Sequence, residues 1–425
     1  MLKKILKAIF PYIFREKLRG VLFKIRYFFV GRTKTDYSKY PNGISLIGHV
    51  RGDFGLGESC RLVAGTIASS EIPFSIKNIF QNKNAAETNV SFADFESEEL
   101  KYNVNLIHIN PNELLSFILK ADKKVFDNRY QIAYWLWELP EFPKEWIYQI
   151  EMFDEIWTPS EFVSEAVRKV TNKPVYTVPY AMSEPVTDGK YDRNYFGLPD
   201  DKFLYLMSYD GLSNSERKNP VGAILAYKEA FSKEYLNSLS EEHSQELKEA
   251  GLIIKATHAE DKELSHLREL MEGYKNVYIL TDSYSKEEFN SLIKCADVYI
   301  SLHHSEGFGL VMAEAMLLGT PTVATGWSAN AEFMSEDACC MVPVKIVEIK
   351  KETPPYHKGN HWADPDVHAA AKYIRHLYED KDFYQYKKEA AAKYIRDCMS
   401  QKKAVSVICE RYLNIIGILD ARSEN

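Results

Sequence analysis

The stretch HHSEGFGLVMAEAMLLGTPTVAT, His303 to Thr325, sets Glu306 and Glu314 eight positions apart around Gly307-Phe308-Gly309. An ionised carboxylate accepts several O–H hydrogen bonds and therefore suits a hydroxyl-rich ligand. Glycines let a backbone come close to that ligand, and the start of a helix favours an anion such as phosphate. The pattern fits a sugar on one side, a ribose on the other and phosphates at the helix end. The plainer alternative is that the two carboxylates only cap and charge a helix. Glu314 argues against it, because it falls on the apolar side with Val311, Ala315 and Leu318. A second group stands in SYDGLSNSERKNP, where Arg217 and Lys218 follow a strand pattern and precede a helix pattern. Two adjacent cations there can neutralise a leaving diphosphate, though a solvated basic turn has the same composition. Lys255, ending GLIIKAT, is a further candidate at the same edge. Of His303 and His304, His304 is expected to point into the cleft. The histidines lack HxxxH spacing, and Asp366 of ADPDV reads as a helix N-cap, so no required metal is expected.

These residues resemble the E-x7-E signature of retaining GT-B glycosyltransferases of the large family 4, here Glu306 to Glu314 followed by Gly319-Thr320-Pro321. The resemblance spans most of the chain after Pro41 and is strongest in the second half. It implies that Glu306 holds donor-sugar hydroxyls and that Glu314 binds the nucleotide ribose. The backbone around Gly307, Phe308, Gly309 and Leu310 would meet sugar or phosphate, with His304 beside it. Leu280, in the strand end Tyr278–Thr281, would contact the base through its backbone. Arg217 and Lys218 would hold the diphosphate. Relatives carry Gly-Arg directly after the strand, whereas this chain reads Ser208-Tyr209 there. GHVRGDFGLGESCR is similar to the family's glycine-rich loop, with Gly55 and Gly57 opening a helix near the donor phosphates. Read without the family, GDFGLGES also fits a dinucleotide-binding loop, but no acidic residue in the right strand context supports that. His108 and Asn110 at one strand end, and Glu138 after Trp135 and Trp137 at another, are candidates to act on the acceptor. Many relatives have His at the place assigned to Glu138.

Positioning such groups requires strand ends. GISLIGHV, VNLIHIN, YQIAYWLWEL, EIWTPS and PVYTVPY alternate with helix patterns, and a second series starts at FLYLMSYD and continues through GLIIKAT, NVYILT, DVYISLH and TPTVAT. Strands alternating with helices argue for parallel α/β sheets, whose ligands sit at the carboxyl ends of the strands. With 425 residues, about two domains are expected. The resemblance makes the fold GT-B, two Rossmann-like α/β domains with parallel sheets facing across a cleft. The expected boundaries are a basic amphipathic segment over 1–40, an acceptor domain over 41–195, a donor domain over 196–390, and a helix over 391–425 returning to the first domain.

The net charge of −7 disfavours a nucleic-acid partner. Six cysteines without CxxC spacing read as reduced cytosolic thiols. The first forty residues interleave Lys and Arg with Leu, Ile and Phe, and Pro11 is expected to split them into two short helices. Two readings stay open for this segment: an arm packed on the body, or a basic helix lying on an anionic membrane surface. The expected localisation is cytoplasmic, peripheral at the inner face of the cell membrane. The resemblance thus implies transfer of a hexosyl unit, with retention, from GDP-mannose or a UDP-hexose to a glycan or lipid-linked acceptor in polysaccharide biosynthesis, the nucleotide-diphosphate-sugar being a substrate and no cofactor being required. The alternatives are a phosphorylase-like or sucrose-synthase-like enzyme on soluble sugars, and a non-enzymatic nucleotide-sugar sensor.

Overall fold

A computed structural model of the chain describes residues 11–79, 87–238 and 249–423. Lys3, Lys4, Lys7 and the short helix expected before Pro11 lie outside the described residues. The chain forms two compact units. Unit 1 comprises Met1–Met182, Ile349–Asn360 and Met399–Asn425, and unit 2 comprises Ser183–Glu348 and His361–Cys398.

Unit 1 is built on six parallel strands: β1 (Ile44–Gly48), β2 (Phe74–Asn78), β3 (Val104–His108), β4 (Tyr130–Tyr134), β5 (Glu155–Thr158) and β6 (Val175–Thr177). They lie in the order β2-β1-β3-β4-β5-β6. Every residue of β1, β3, β4 and β5 is buried. Strands covered on both faces read as mainly apolar runs, and these four were legible as such despite Ser45, Asn105, Gln131 and Glu155 within them. β2 was not expected, because FSIKN at the sheet edge is short and half polar. The helices here include α1 (Tyr12–Val30), α2 (Gly55–Ala68), α3 (Pro111–Lys120) and α4 (Glu161–Arg168), α4 being capped by the Ser160 side chain as the sequence predicts.

Two sequence expectations change here. YQIAYWLWEL leaves the sheet at Tyr134. Its second half is a buried loop that bonds Trp135 N to Trp157 O and Trp137 Nε1 to Glu141 O. An apolar run without periodicity cannot separate buried strand from buried coil. The single helix expected from Ala391 to Leu419 is two helices, one ending at Cys398 and one running Gln401–Ser423. The second packs on α2, and its Arg411 forks onto the buried Glu155 carboxylate of β5.

Unit 2 has six parallel strands: β7 (Phe203–Asp210), β8 (Ala250–Thr257), β9 (Val277–Leu280), β10 (Val298–Ser301), β11 (Thr322–Thr325) and β12 (Cys340–Val342). Their order is β12-β11-β10-β7-β8-β9. The direction of winding reverses between β7 and β10, where a doubly wound sheet opens its ligand crevice. Between and after the strands run α5 (Ser215–Lys218), α6 (Pro220–Ala230), α7 (Asp261–Leu270), α8 (Lys286–Cys295), α9 (Leu310–Leu317), α10 (Val367–Glu379) and α11 (Lys381–Cys398). Tyr205, Met207, Ile254, Ile300 and Val323 from the strands meet Ile224 of α6 and Ile374 of α10 in the core. Asp366 caps α10, and Ser285 with Glu288 forms the predicted capping box on α8. Arg193, in the polar segment 183–200, bonds Cys295 O and Asp297 and so ties that segment into unit 2. β12 and the antiparallel hairpin β13 (Val344–Glu348) with β14 (His361–Pro365) were not expected. The two α/β units, each on a six-stranded parallel sheet, are the Rossmann-like domains of the GT-B class.

Candidate functional site

A polar cluster stands where β7 and β10 end. After β7, Ser-Asn-Ser-Glu-Arg-Lys-Asn-Pro folds as one helical turn between two asparagines, Asn214 at φ +67° and Asn219 at φ +50°. Asparagine tolerates this left-handed backbone better than most side chains. The Asn214 side chain accepts from Arg217 N, and Asn219 caps α6 while its Nδ2 donates to Leu302 O, 2.7 Å, at the end of β10. The two turns are therefore stitched together by local polar geometry.

This stitching brings Arg217, Lys218 and Glu306 together. Arg217 is buried, and its Nη1 donates to Ser305 O at 2.6 Å and lies 3.3 Å from Glu306 Oε2. Lys218 Nζ donates to Glu306 Oε1. Burial pushes the Glu306 carboxyl up, but Lys218 and Arg217 outweigh it and hold it at about 2. The carboxylate is charged and desolvated beside two cations, which is tolerable in a protein interior only while all three stay paired.

The backbone under Glu306 is held from below. Glu306 N donates to Ser328 Oγ at 2.9 Å, and Ser328 sits at φ +75°, an unusual region for a side-chain-bearing residue. Asn330 Oδ1 accepts from Ser328 Oγ and from His303 Nε2, and its Nδ2 donates to Thr325 O. His303 is wholly buried, and burial lowers its imidazole to about 4. His304 is half-buried, its ring stacked 4.7 Å from Trp362 and its Nδ1 on Ala363 O. Gly309, at φ +101°, caps α9 from the left-handed region, with Gly307, Phe308 and Leu310 around it. Glu314, one turn into α9, is buried and paired with Lys286 at the start of α8.

Leu280 ends the edge strand β9, three strand spacings or roughly 14 Å from β10. Lys255, on β8 between them, donates to Thr257 Oγ1 and Asp282 O at 2.6 Å each, and burial lowers its amine to about 8. Sequence reasoning missed Ser328, Asn330 and Lys286. The legible signal for the first two was Gly326-Trp-Ser-Ala-Asn330 directly after a strand pattern. Lys286 carried none, because its partner lies on another helix.

The other predicted residues lie in unit 1. Gly55 and Gly57 open α2, where a Cβ on Gly57 would stand 2.2 Å from Gly52 O. His108 is wholly buried at the end of β3, its Nε2 on Ser59 Oγ at 2.9 Å and its ring stacked on Tyr134. Burial lowers it to about 3, so it stays neutral. Asn110 accepts from Leu136 N, and Glu138 accepts from Tyr356 OH at 3.2 Å. Beside them His49 Nε2 lies 2.9 Å from Glu113, a pair the sequence did not flag. Among the described residues no group of three or more His, Cys, Asp or Glu side chains is placed to hold a metal.

Comparison with known proteins bears on this geometry. The family described as "Glycosyl transferases group 1" matches residues 214–394. No curated protein sequence matches the chain. Among solved structures, Anabaena HepE in complex with UDP and glucose superposes with TM-score 0.58 at 12% identity, covering 88% of this chain and all (100%) of that one. Sucrose-phosphate synthase from Thermosynechococcus elongatus gives 0.59 at 11%, over 88% and 100% of the two chains. A glycosyltransferase from Rickettsia africae gives 0.57 at 11%, over 89% and 99%. At these identities the likeness is one of fold. Residues 214–394, which hold Arg217, Lys218, Glu306 and Glu314, match the group 1 glycosyl transferase family, and that match supports a transferase.

Proposed function

We propose that the protein is a retaining glycosyltransferase that moves a hexosyl unit from a nucleotide-diphosphate sugar, a UDP-hexose or GDP-mannose, to a hydroxyl of a glycan or lipid-linked acceptor. One observation carries this reading: Glu306 paired with both Lys218 and Arg217 at the point where the unit 2 sheet reverses. Without ligand, the carboxylate neutralises the two cations. A donor diphosphate offers them more negative charge in bidentate geometry. It would draw Lys218 and Arg217 to itself and release Glu306 to accept from sugar hydroxyls. Glu314 then exchanges Lys286 for the ribose hydroxyls, and the base lies toward Leu280. The bond from the anomeric carbon to the diphosphate breaks as the acceptor oxygen bonds that carbon on the same face. The departing phosphate oxygen takes the acceptor's proton, and Lys218 and Arg217 stabilise its charge.

HepE has been solved with UDP-glucose, which puts uridine first in the test. Unfolding of the protein is followed with UDP, GDP, ADP and CDP, each with and without EDTA. A ligand at about 100 times its Kd adds roughly 2.7 kcal/mol, a readable shift. UDP or GDP alone should shift the transition, unchanged by EDTA. No shift with any nucleotide overturns the reading, and an inverted product by NMR overturns retention.

A further inference from the structure

Helix α1 packs one face on unit 1, as the packed-arm reading of the basic N-terminal segment expects, and leaves the other face exposed. One face packs: Glu16, Gly20, Phe23 and Val30 are buried against α3 and the 3-10 segment Lys144–Met152, with Phe23 edge-on to Tyr148 at 5.2 Å. The arginines on this side are used inward. Arg26 Nη2 donates to Ala121 O at 2.6 Å and its Nε to Ile118 O, while Arg19 donates to Asn112 O. They bond main-chain carbonyls of α3 and the residue after it.

The opposite face is apolar and open. Leu18, Val21, Leu22, Ile25, Phe28 and Phe29 are all exposed, Phe28 to 81% and Phe29 to 62%. At 100° per residue these six fall on one stripe, about opposite the packed face. Lys17 and Lys24 line one rim of the stripe. The helix's single carboxylate, Glu16, is on the buried side beside Arg19. The outer face therefore carries greasy side chains with the exposed Lys17 and Lys24 along one edge, and the helix's own carboxylate is turned away from it.

We propose that this face of α1 lies on an anionic lipid bilayer, with the Leu-Ile-Phe stripe at the acyl boundary and Lys17 and Lys24 at the phosphates. Charge complementarity selects this occupant. A second copy meeting stripe to stripe would bring the exposed Lys17 and Lys24 of both copies to one interface with no carboxylate from the helix to pair them, and like charges across an interface are repulsive. No helix among the described residues is long and apolar enough to cross a membrane. The surface stands on unit 1 alone and does not depend on the transferase chemistry.

The test is flotation of the full chain, without nucleotide, on phosphatidylcholine vesicles with and without phosphatidylglycerol. Binding should require the anionic lipid and fall with salt. Phe28→Asp with Phe29→Asp should lower the bound fraction at least about tenfold, and Lys17→Glu with Lys24→Glu roughly fivefold per lysine. All four positions are exposed, so the unfolding midpoint should not move. Equal flotation of wild type and the phenylalanine variant, or equal binding to neutral vesicles, overturns the proposal. So does self-association in sedimentation that the phenylalanine variant abolishes while wild type ignores lipid. That result would assign the stripe to a second copy.

Discussion

Under the proposed function the Glu306 carboxylate would compete with the donor diphosphate for the same two cations, and that competition makes a sharp residue-scale prediction. Glu306→Gln keeps the shape but removes the competing charge. It should tighten binding of bare UDP or GDP several-fold while cutting turnover about 10²–10³-fold, the usual cost of losing one preorganised contact. Titration calorimetry and a donor-turnover assay read the two effects. Unchanged nucleotide affinity would remove the exchange from the mechanism. Lys218→Ala acts in the opposite direction on binding, weakening the nucleotide and lowering turnover on the same scale. It also leaves Glu306 with Arg217 alone, so it should lower the unfolding midpoint, because breaking one side of a buried ion pair costs ~3–5 kcal/mol. Lys218→Ala combined with Glu306→Gln should recover much of that stability and none of the turnover.

At the scale of elements, Gly57 is the tightest backbone approach in the first strand–helix turn, with Gly52 O where a methyl would go. Gly57→Ala should cost about 1–3 kcal/mol through forced movement of that turn, seen as a lower melting temperature. The segment 349–360 makes a different prediction. His357 lies between Glu145 at Nε2 and Glu352 at Nδ1, 2.6 Å each, with Tyr356 stacked on Trp137 beside it. Burial lowers the imidazole, but the hydrogen bonds to Glu352 and Glu145 outweigh it and raise it above 6.5. A raised histidine stabilises the folded segment fully below its ordinary value, and that support is lost as pH climbs through the raised value. Amide hydrogen exchange across 349–360, corrected for intrinsic rate, should quicken as pH climbs above about 6.5. His357→Gln should remove that pH dependence, and a flat profile in wild type would dismiss the clamp.

Over the whole molecule the buried groups set the acid side of stability. His303, at about 4, and His108, at about 3, are held neutral by burial, and Glu306, at about 2, is held charged by its cations. All three are depressed. The histidines' contribution is complete above about pH 6.5 and falls away below it. That of Glu306 is complete above about pH 4.5 and falls toward 2. Since His108 is in unit 1 and His303 in unit 2, both units should lose urea resistance together between about pH 6.5 and 5. A midpoint constant over that range would show that the imidazoles protonate without cost.

The core strands were readable because burial on both faces writes itself as mainly apolar runs, and the caps Ser160, Ser285 and Asp366 because an N-cap is a local bond. Glu306, Glu314, Arg217 and Lys218 were readable because their residue types and spacing are a matter of sequence alone. What only the tertiary structure decided is whom they touch. The pairing of Lys218 with Glu306 spans eighty-eight residues and that of Lys286 with Glu314 twenty-eight, and both depend on strand order. The same holds for the edge strand β2, for Ser328 bent under Glu306, and for the outward turn of the α1 stripe. Periodicity reports that a residue faces a neighbour, while the identity of that neighbour is set when non-local strands pair and close the chain around it.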